Sequence, residues 1–178
     1  MTLTETAGGA IKGRYRDVLR DPDGRLIHDF GWRDNAIVLD CRRMLASFMA
    51  GKSALGIQGL WLGSGLPAWD VGGPPPAGPG QVKPVDPAPF LVPLADLQID
   101  FLDGGLVTAM PTNRLQIVAS VGPGKPPWPD GAHVAVSLRE FGLVGQIAGA
   151  PALINYVTHP VINKDPTSTL ERTLWLVF

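Results

Sequence analysis

Apolar and polar residues alternate along several stretches in the second half of the chain. Residues 115–121 and 169–175 show this pattern, although imperfectly. Because successive side chains of a strand point to opposite faces, a period of two is typical of half-buried antiparallel strands. The connecting segments are rich in Gly, Pro, Asn and Asp, which favour turns. The sequence therefore predicts three pairs of strands: 97–102 with 106–110, 115–121 with 134–141, and 153–162 with 169–178.

The last of these runs stays apolar to its end. Residues 174–178 read Leu-Trp-Leu-Val-Phe. A chain end frays unless other groups hold it, so such large apolar side chains are expected to be covered. We predict that residues 174–178 form a strand that completes a sheet, either within one chain or between several chains.

The first third of the chain predicts a hairpin. Residues 14–20 and 26–30 flank the turn sequence Asp-Pro-Asp-Gly at 21–24. The proline presets one turn dihedral, and the glycine tolerates a positive φ.

Residues 36–50 have the pattern of an amphipathic helix. Apolar residues recur there at steps of three and four, with two arginines between them. Asp34 or Asn35 is expected to cap the first amides, and Gly51 to take the left-handed conformation that ends the helix. The predicted apolar stripe consists of Ile37, Cys41, Met44, Leu45 and Phe48.

A short apolar strand and a Pro-rich segment follow the helix. Residues 56–62 predict a buried strand, after which the Gly-Ser-Gly sequence at 63–65 turns the chain outwards. Residues 72–93 are dense in Pro and Gly, so they can supply neither a full set of strand hydrogen bonds nor a continuous helix. We expect this segment to be an extended arm or loop insertion in a single domain that covers residues 1–178.

Composition favours a mainly β protein. The chain has 178 residues, enough for one domain with its own core. It combines 45% hydrophobic residues with 22 Gly and 18 Pro, a mixture more common in β-sandwiches and barrels than in helical proteins. The predicted fold is an antiparallel β-sandwich or barrel-like domain with one amphipathic α-helix near the N-terminus and a long Pro/Gly-rich loop.

The charge of the chain limits the classes of partner, and its N-terminal sequence limits the compartment in which it is made. A formal net charge of -1 and a charged fraction of 17% give no basic surface for tracking phosphates, which argues against a nucleic-acid partner. Cys41 is the single cysteine, so an internal disulfide is excluded. The N-terminus has neither a basic start nor an apolar run, and no segment approaches the ~18 apolar residues of a membrane span. We expect synthesis in the cytoplasm and no membrane span.

No motif predicts a catalytic, cofactor-binding or metal site, and we expect no enzyme activity. The Gly-Lys-Ser sequence at 51–53 is similar to the end of a phosphate loop, but it closes a helix and lacks the first glycine of that motif. His28, His133 and His159 lie far apart, and none has a second ligand at metal spacing.

Two other functions stay open in the sequence. A glycan- or peptide-binding module could use the loops around Trp69 and Trp128, because exposed aromatic rings are good stacking surfaces. A small hydrolase could hide a carboxylate pair among Asp96, Asp100 and Glu140, because two carboxyl groups several ångströms apart are all that glycoside hydrolysis requires.

Partner contacts are predicted in three places: the loop tryptophans, the proline run and the apolar end of the chain. These candidate partner-contact residues are Trp69, Trp128, Pro74, Pro75, Pro76, Trp175 and Phe178.

The order of the predicted elements resembles that of phage and phage-tail-like virion proteins. In those proteins an N-terminal strand with an Asp-Gly turn precedes a helix, and an apolar strand ending in a Gly-x-Gly turn follows. The closing segments are similar as well. The stretches that carry the resemblance are 23–24, 34–51, 57–65, 139–145, 153–160 and 169–174.

The resemblance implies a structural role in the tail, baseplate, collar or fibre of a phage or contractile injection system, usually in rings or trimers. It carries over no catalytic residues. The implied partners are other copies of the chain and other particle subunits, and the implied location is the assembled particle. A symmetric assembly would also cover the apolar end of the chain and receive the Pro-rich segment.

Overall fold

The computed structural model describes residues 11–178. The N-terminal residues 1–10, on which the expectation of synthesis in the cytoplasm partly depends, lie outside the described part. Eleven strands make up nearly half of the described chain, with two short α-helices and a 3-10 turn at Leu94–Asp96. The strands are β1 Lys12–Arg20, β2 Leu26–Ile37, β3 Gly59–Gly63, β4 Phe90–Pro93, β5 Leu97–Asp103, β6 Leu106–Thr108, β7 Arg114–Val121, β8 Ser137–Ile147, β9 Ala150–Leu153, β10 Asn155–Asn163 and β11 Thr169–Val177. The helices are α1 Leu39–Met49 and α2 Trp69–Gly72.

The strands form one antiparallel sheet. Its order is β4-β3-β8-β10-β2-β1-β11-β7-β5-β6, and β9 pairs with β8 beside this path. The expectation of a mainly β, antiparallel fold is confirmed. In this order β4 and β6 stand at the two ends of the sheet.

The sheet curls so that its two halves enclose one core. Tyr15 of β1 and Phe141 of β8 meet edge to face with ring centroids 5.0 Å apart, and Cζ of Arg172 on β11 lies 3.7 Å from the Phe141 centroid. Three strands separate β8 from β11, and at about 4.8 Å per strand a flat sheet would hold them roughly 19 Å apart. The contact therefore requires strong curvature, while the sandwich or barrel form stays a prediction. The shared core includes Leu60, Leu138 and Leu143 from one half and Ile117, Leu174 and Leu176 from the other.

The C-terminal strand pairs within the chain. β11 runs beside β1, with Lys12 opposite Val177 and Arg20 opposite Thr169, and beside β7 on its other side. Its side chains alternate between buried and half-buried along the whole strand. The predicted strand at 174–178 is confirmed through Val177, and its covering comes from the fold.

Two of the three predicted strand pairs are wrong, although their strands exist. Residues 97–102 and 106–110 do pair, as β5 with β6. β7, in contrast, lies between β11 and β5, and β10 lies between β8 and β2. Alternation shows which face a side chain occupies, but it does not identify the neighbouring strand. Pairing by order along the chain therefore failed for both of these pairs, whether the connection is long, as at 122–136, or short, as at 164–168.

The N-terminal hairpin is confirmed, but the helix begins later than predicted. β1 and β2 pair across the predicted turn. β2 continues through Asn35, which lies opposite Gly13, so α1 starts at Leu39 after Val38 and has no side-chain cap. Gly51 has φ +65° just after the helix, as predicted. Within residues 11–178, neither α-helix has the length and apolar character needed to cross a membrane.

The Pro-rich segment lies against its own chain instead of extending as a free arm. Residues 73–89, all within the described part, contain neither helix nor strand. The Pro75 carbonyl accepts a hydrogen bond of 2.7 Å from the Thr158 hydroxyl, and the Pro79 carbonyl accepts one of 2.9 Å from the Leu39 amide. The segment ends in β4, which pairs with β3.

Candidate functional site

Trp69 and Trp128 are packed inside the chain, at 9% and 8% exposure. The Trp69 ring lies over Gly65, where φ is +55° and a Cβ would come within 2.5 Å of the ring. Trp128 stacks on His133, with ring centroids 3.7 Å apart and planes 17° from parallel. This corrects the expectation that their loop positions leave these rings open to a partner, because both rings are used for packing within the chain.

The other predicted contact residues are more accessible. Pro75 and Pro76 are exposed, and Pro74 is half-buried. Trp175 is half-buried on the outer face of β11, and Phe178 is partly exposed at the end of an apolar groove. Their role as partner contacts stays a prediction.

A buried His133 links two loops through carboxylates. Its Nε2 lies 3.0 Å from Asp86, and its Nδ1 lies 2.8 Å from Asp130. Asp86 also accepts hydrogen bonds from the amides of Ser64, at 2.7 Å, and Ala88, at 2.9 Å. Burial alone raises the pKa of the Asp86 carboxyl, but these donors outweigh burial and hold the pKa below its usual range. Since carboxylates occupy both ring nitrogens, neither is left to activate a nucleophile.

Glu140 of β8, one of the carboxylates weighed for a hydrolase, is fully buried. It accepts hydrogen bonds from the amides of Val85, at 3.0 Å, and Asp86, at 2.6 Å, and from the Tyr156 hydroxyl. Burial and the Glu140 carboxylate raise the pKa of Tyr156, which keeps this hydroxyl a donor. Through the two backbone hydrogen bonds, the buried Glu140 carboxylate holds the Pro-rich segment to the sheet.

The other two carboxylates weighed for a hydrolase have partners of their own. Asp96 lies 3.5 Å from the Lys125 ammonium, and Asp100 accepts a hydrogen bond of 2.8 Å from the side-chain amide of Gln98. Neither contact joins them to Glu140.

A buried ion pair connects β1 with β11. Arg172 donates two hydrogen bonds of 2.7 Å to the Asp17 carboxylate, and the two side chains are 0% and 1% exposed. Arg172 Nη2 also lies 3.1 Å from His159 Nε2, while His159 Nδ1 lies 2.8 Å from the Pro160 carbonyl oxygen. His159 therefore carries its proton on Nδ1 and accepts from Arg172 on Nε2, as a neutral ring.

This arrangement predicts a stability loss in mild acid. Burial, and then the charge of Arg172, lower the pKa of His159 from 6.5 to about 4; Arg33 adds to this effect, while Asp17 and the Pro160 carbonyl oppose it. As the pH falls, the unfolded chain therefore takes up this proton first. The contribution of the neutral His159 ring to the free energy of unfolding is complete above pH 6.5. It decreases as the pH falls from 6.5 to about 4, and below that pH it does not change further. The expected loss in free energy of unfolding is about 3 kcal/mol.

Denaturant unfolding at several pH values measures this loss. His159→Gln keeps an acceptor for Arg172 but does not titrate, so its stability should decrease less than that of the wild type over the same range. Other histidines contribute equally to both proteins and cancel in the difference. Parallel stability curves for the two proteins would contradict the role of His159.

An apolar groove of about 280 Å³ lies between α1 and the sheet. Met44 and Phe48 line it from α1, Leu115 lines it from β7, and Phe178 lies at the chain end. Cys41 also lines it, and burial raises the pKa of this thiol, so the group behaves as an apolar side chain and not as a nucleophile.

A second groove, of about 470 Å³, lies where β1, β2 and β11 run side by side. Lys12 and Arg14 of β1, Asp34 of β2, and Trp175 and Val177 of β11 line it. We refer to it as the Trp175 groove. Trp175 is among the contact residues predicted from the sequence, whereas Lys12, Arg14 and Asp34 are not. A signal was available, since Lys12 and Arg14 alternate with buried positions and so face outwards.

The two end strands of the sheet expose apolar side chains. Near β6, Leu106 and Met110 are 76% and 72% exposed, and residues 106–110 include no charged residue. At the opposite end, Leu91 of β4 is 46% exposed. Leu91, Leu106 and Met110 are not among the contact residues predicted from the sequence.

Comparisons of the chain with family models, curated proteins and solved structures found no match. Among the residues that the structure describes, no group of three or more His, Cys, Asp or Glu could hold a metal ion. The candidate functional surfaces are therefore identified from the geometry of the described residues and not from similarity to known proteins.

Proposed function

We propose that the chain is a structural subunit of a phage or phage-tail-like particle and that it assembles with copies of itself. The observation that carries the proposal is the exposure of apolar side chains at both end strands of one sheet. The resemblance to tail, baseplate, collar and fibre proteins supports the choice of particle. Other particle subunits are the further partners of this proposal.

The β6 end lacks the usual protection of a sheet edge. An end strand carries backbone N–H and C=O groups that can pair with another chain, and proteins normally guard such edges with charges, proline or a covering segment. Around β6 the exposed positions are instead apolar, including Leu106, Val107 and Met110. Shortness is the one protective feature of β6, which spans only Leu106–Thr108.

The occupant that fits this edge best is the β4 end of a second copy. Both edges belong to the same sheet, so pairing β6 of one copy with β4 of the next continues the sheet across the interface and brings Leu106 near Leu91. Such a head-to-tail interface uses two different surfaces, and it builds a ring when the rotation between copies closes. Rings are the assemblies that the resemblance implies.

Mass measurement in solution tests the assembly. We expect the wild-type chain to form a discrete oligomer by light scattering coupled to size exclusion. Leu106→Lys and Leu91→Lys should each reduce it to a monomer with an unchanged thermal melting temperature. Val134→Lys, at an almost fully exposed loop position, is the matched control and should leave the oligomer intact.

Mixing the two edge variants tests the head-to-tail geometry. Each variant retains one unblocked edge, so an equimolar mixture should yield a dimer that neither variant forms alone. A wild-type chain that stays monomeric at high concentration overturns the assembly proposal. An oligomer that both edge variants retain shows that the copies meet through another surface and overturns the edge-pairing geometry.

A further inference from the structure

We propose that the Trp175 groove is a binding site for a saccharide that carries a carboxylate. This inference is independent of the assembly proposal, because the groove lies on the outer face of the central strands and not at the end strands.

Trp175 provides a fixed aromatic surface. Its indole N–H donates a hydrogen bond of 3.0 Å to the Gln116 side chain on β7, and its ring contacts Trp32 of β2 with centroids 4.5 Å apart and planes at 45°. These contacts hold the ring on a strand that is paired on both sides. A ligand that packs on the ring therefore loses little free energy in ordering it. The apolar face of a sugar ring packs well on such a surface, while its hydroxyl groups bond to neighbouring polar side chains.

The charged residues of the groove favour an acidic sugar. Lys12 has no hydrogen-bond or ion partner among the described residues. Arg14 lies 3.5 Å from Asp34, and both side chains are largely exposed, so this pair is loose and open to rearrangement. Two cations therefore face one carboxylate, and a ligand carboxylate would balance the excess. Asp34 is left to accept hydrogen bonds from sugar hydroxyl groups.

The groove suits a short saccharide better than a polyphosphate. Its volume of about 470 Å³ falls within the usual range for small-ligand sites. Its lining mixes apolar surface, from Val177 and Trp175, with the charged groups at the rim. Further along the same face of β1, Arg16 is paired with Asp29 and Arg20 with Glu171, so the unpaired basic charge does not continue beyond the groove to follow a phosphate backbone.

Titration with matched sugar pairs tests the proposal. Sialyllactose is compared with lactose, and galacturonate oligomers with galactose oligomers, by calorimetry and tryptophan fluorescence. We expect at least one acidic sugar to bind, with its neutral counterpart weaker by about tenfold, the value of one charge-assisted hydrogen bond. Failure of both acidic sugars to bind overturns the proposal.

Substitutions locate the binding to the groove. Trp175→Ala should reduce the affinity for both members of a pair by at least about tenfold, which corresponds to the loss of one stacked aromatic contact. Lys12→Met should weaken only the acidic sugar. Arg16→Met, on the same face of β1 but outside the groove and paired with Asp29, is the matched control and should change neither affinity.

Milder variants keep the test decisive if Trp175→Ala does not fold. Trp175→Phe retains an aromatic ring in the strand, and together with Lys12→Met it still separates stacking from charge. Binding that survives both Trp175→Phe and Lys12→Met unchanged places the sugar elsewhere and overturns the proposal. Equal affinity for acidic and neutral sugars overturns its charge component.

Discussion

Removing residues 174–178 should prevent the chain from folding. The deletion takes away the second half of β11, which pairs with β1 on one side and β7 on the other. Leu174 and Leu176 fill the core between the two halves of the sheet, and both are almost completely buried. Without them, β1 and β7 would each lose a neighbour at this end. Circular dichroism and the yield of soluble protein measure the result.

Point substitutions give a graded form of the same test. Leu174→Ala should lower the free energy of unfolding by about 2–5 kcal/mol, the usual cost of emptying a buried leucine site. Val177→Ala, on the opposite face of β11, should have a much smaller effect because its side chain is only half-buried. A truncated chain that melts like the wild type, or similar losses for the two substitutions, would contradict the central place of β11 in the core.

Arg172→Met should be among the most damaging single substitutions in this protein. It leaves the Asp17 carboxylate buried without its cation, a situation that typically costs about 3–5 kcal/mol. The same substitution removes the donor to His159 and the guanidinium that lies over Phe141. Urea unfolding of the variant and the wild type measures the difference.

Two comparisons separate charge burial from packing. In the double variant Asp17→Leu with Arg172→Met, no charge of this pair stays buried, so much of the stability should return. Arg16→Met breaks the ion pair with Asp29 on the outer face, which is exposed and screened by water, and it should change stability little. A loss for Arg172→Met no larger than that for Arg16→Met would show that the buried pair does not stabilise the fold.

The sequence was sufficient to predict the local structure of most elements. Alternation located β7 and β11, and the turn at 21–24 located the first hairpin. The order of the strands in the sheet could not be predicted from the sequence, because a period of two assigns a side chain to a face without identifying the neighbouring strand. β11 pairs with β1 across the length of the chain, and the core that the two halves of the sheet share makes that partner better than a nearby one.

The start of α1 shows how tertiary structure overrides a local pattern. Asn35 has the preferred chemistry of a helix cap, and Ile37 fits the apolar stripe. Both residues instead extend β2: Asn35 lies opposite Gly13, whose missing side chain leaves room for the amide, and Ile37 pairs with Asn155. Pairing partners on both sides held this segment as a strand.

The predicted contact residues show a similar limit. Trp69 and Trp128 lie outside strands, where exposure is the normal expectation. Their burial depends on Gly65 and His133, which folding brings beneath the rings. Asp17 and Arg172 did leave a trace in the sequence, since each interrupts an otherwise apolar series of inward positions on its strand. Two opposite charges at such positions suggest a pair, but only the register of β1 with β11 joins them.

The position of β11 in the sheet has a consequence for synthesis. β1 is synthesised well before β11, the strand that connects it to β7, so the two halves of the sheet cannot join until β11 has emerged from the ribosome. Until then, the edges of β1 and β7 and the apolar faces beside them are open to other nascent chains. Proteins whose central pairings span the whole sequence fold slowly and are exposed to aggregation in that interval. We therefore expect the yield of native protein in cells to depend on chaperones and on slow expression at low temperature.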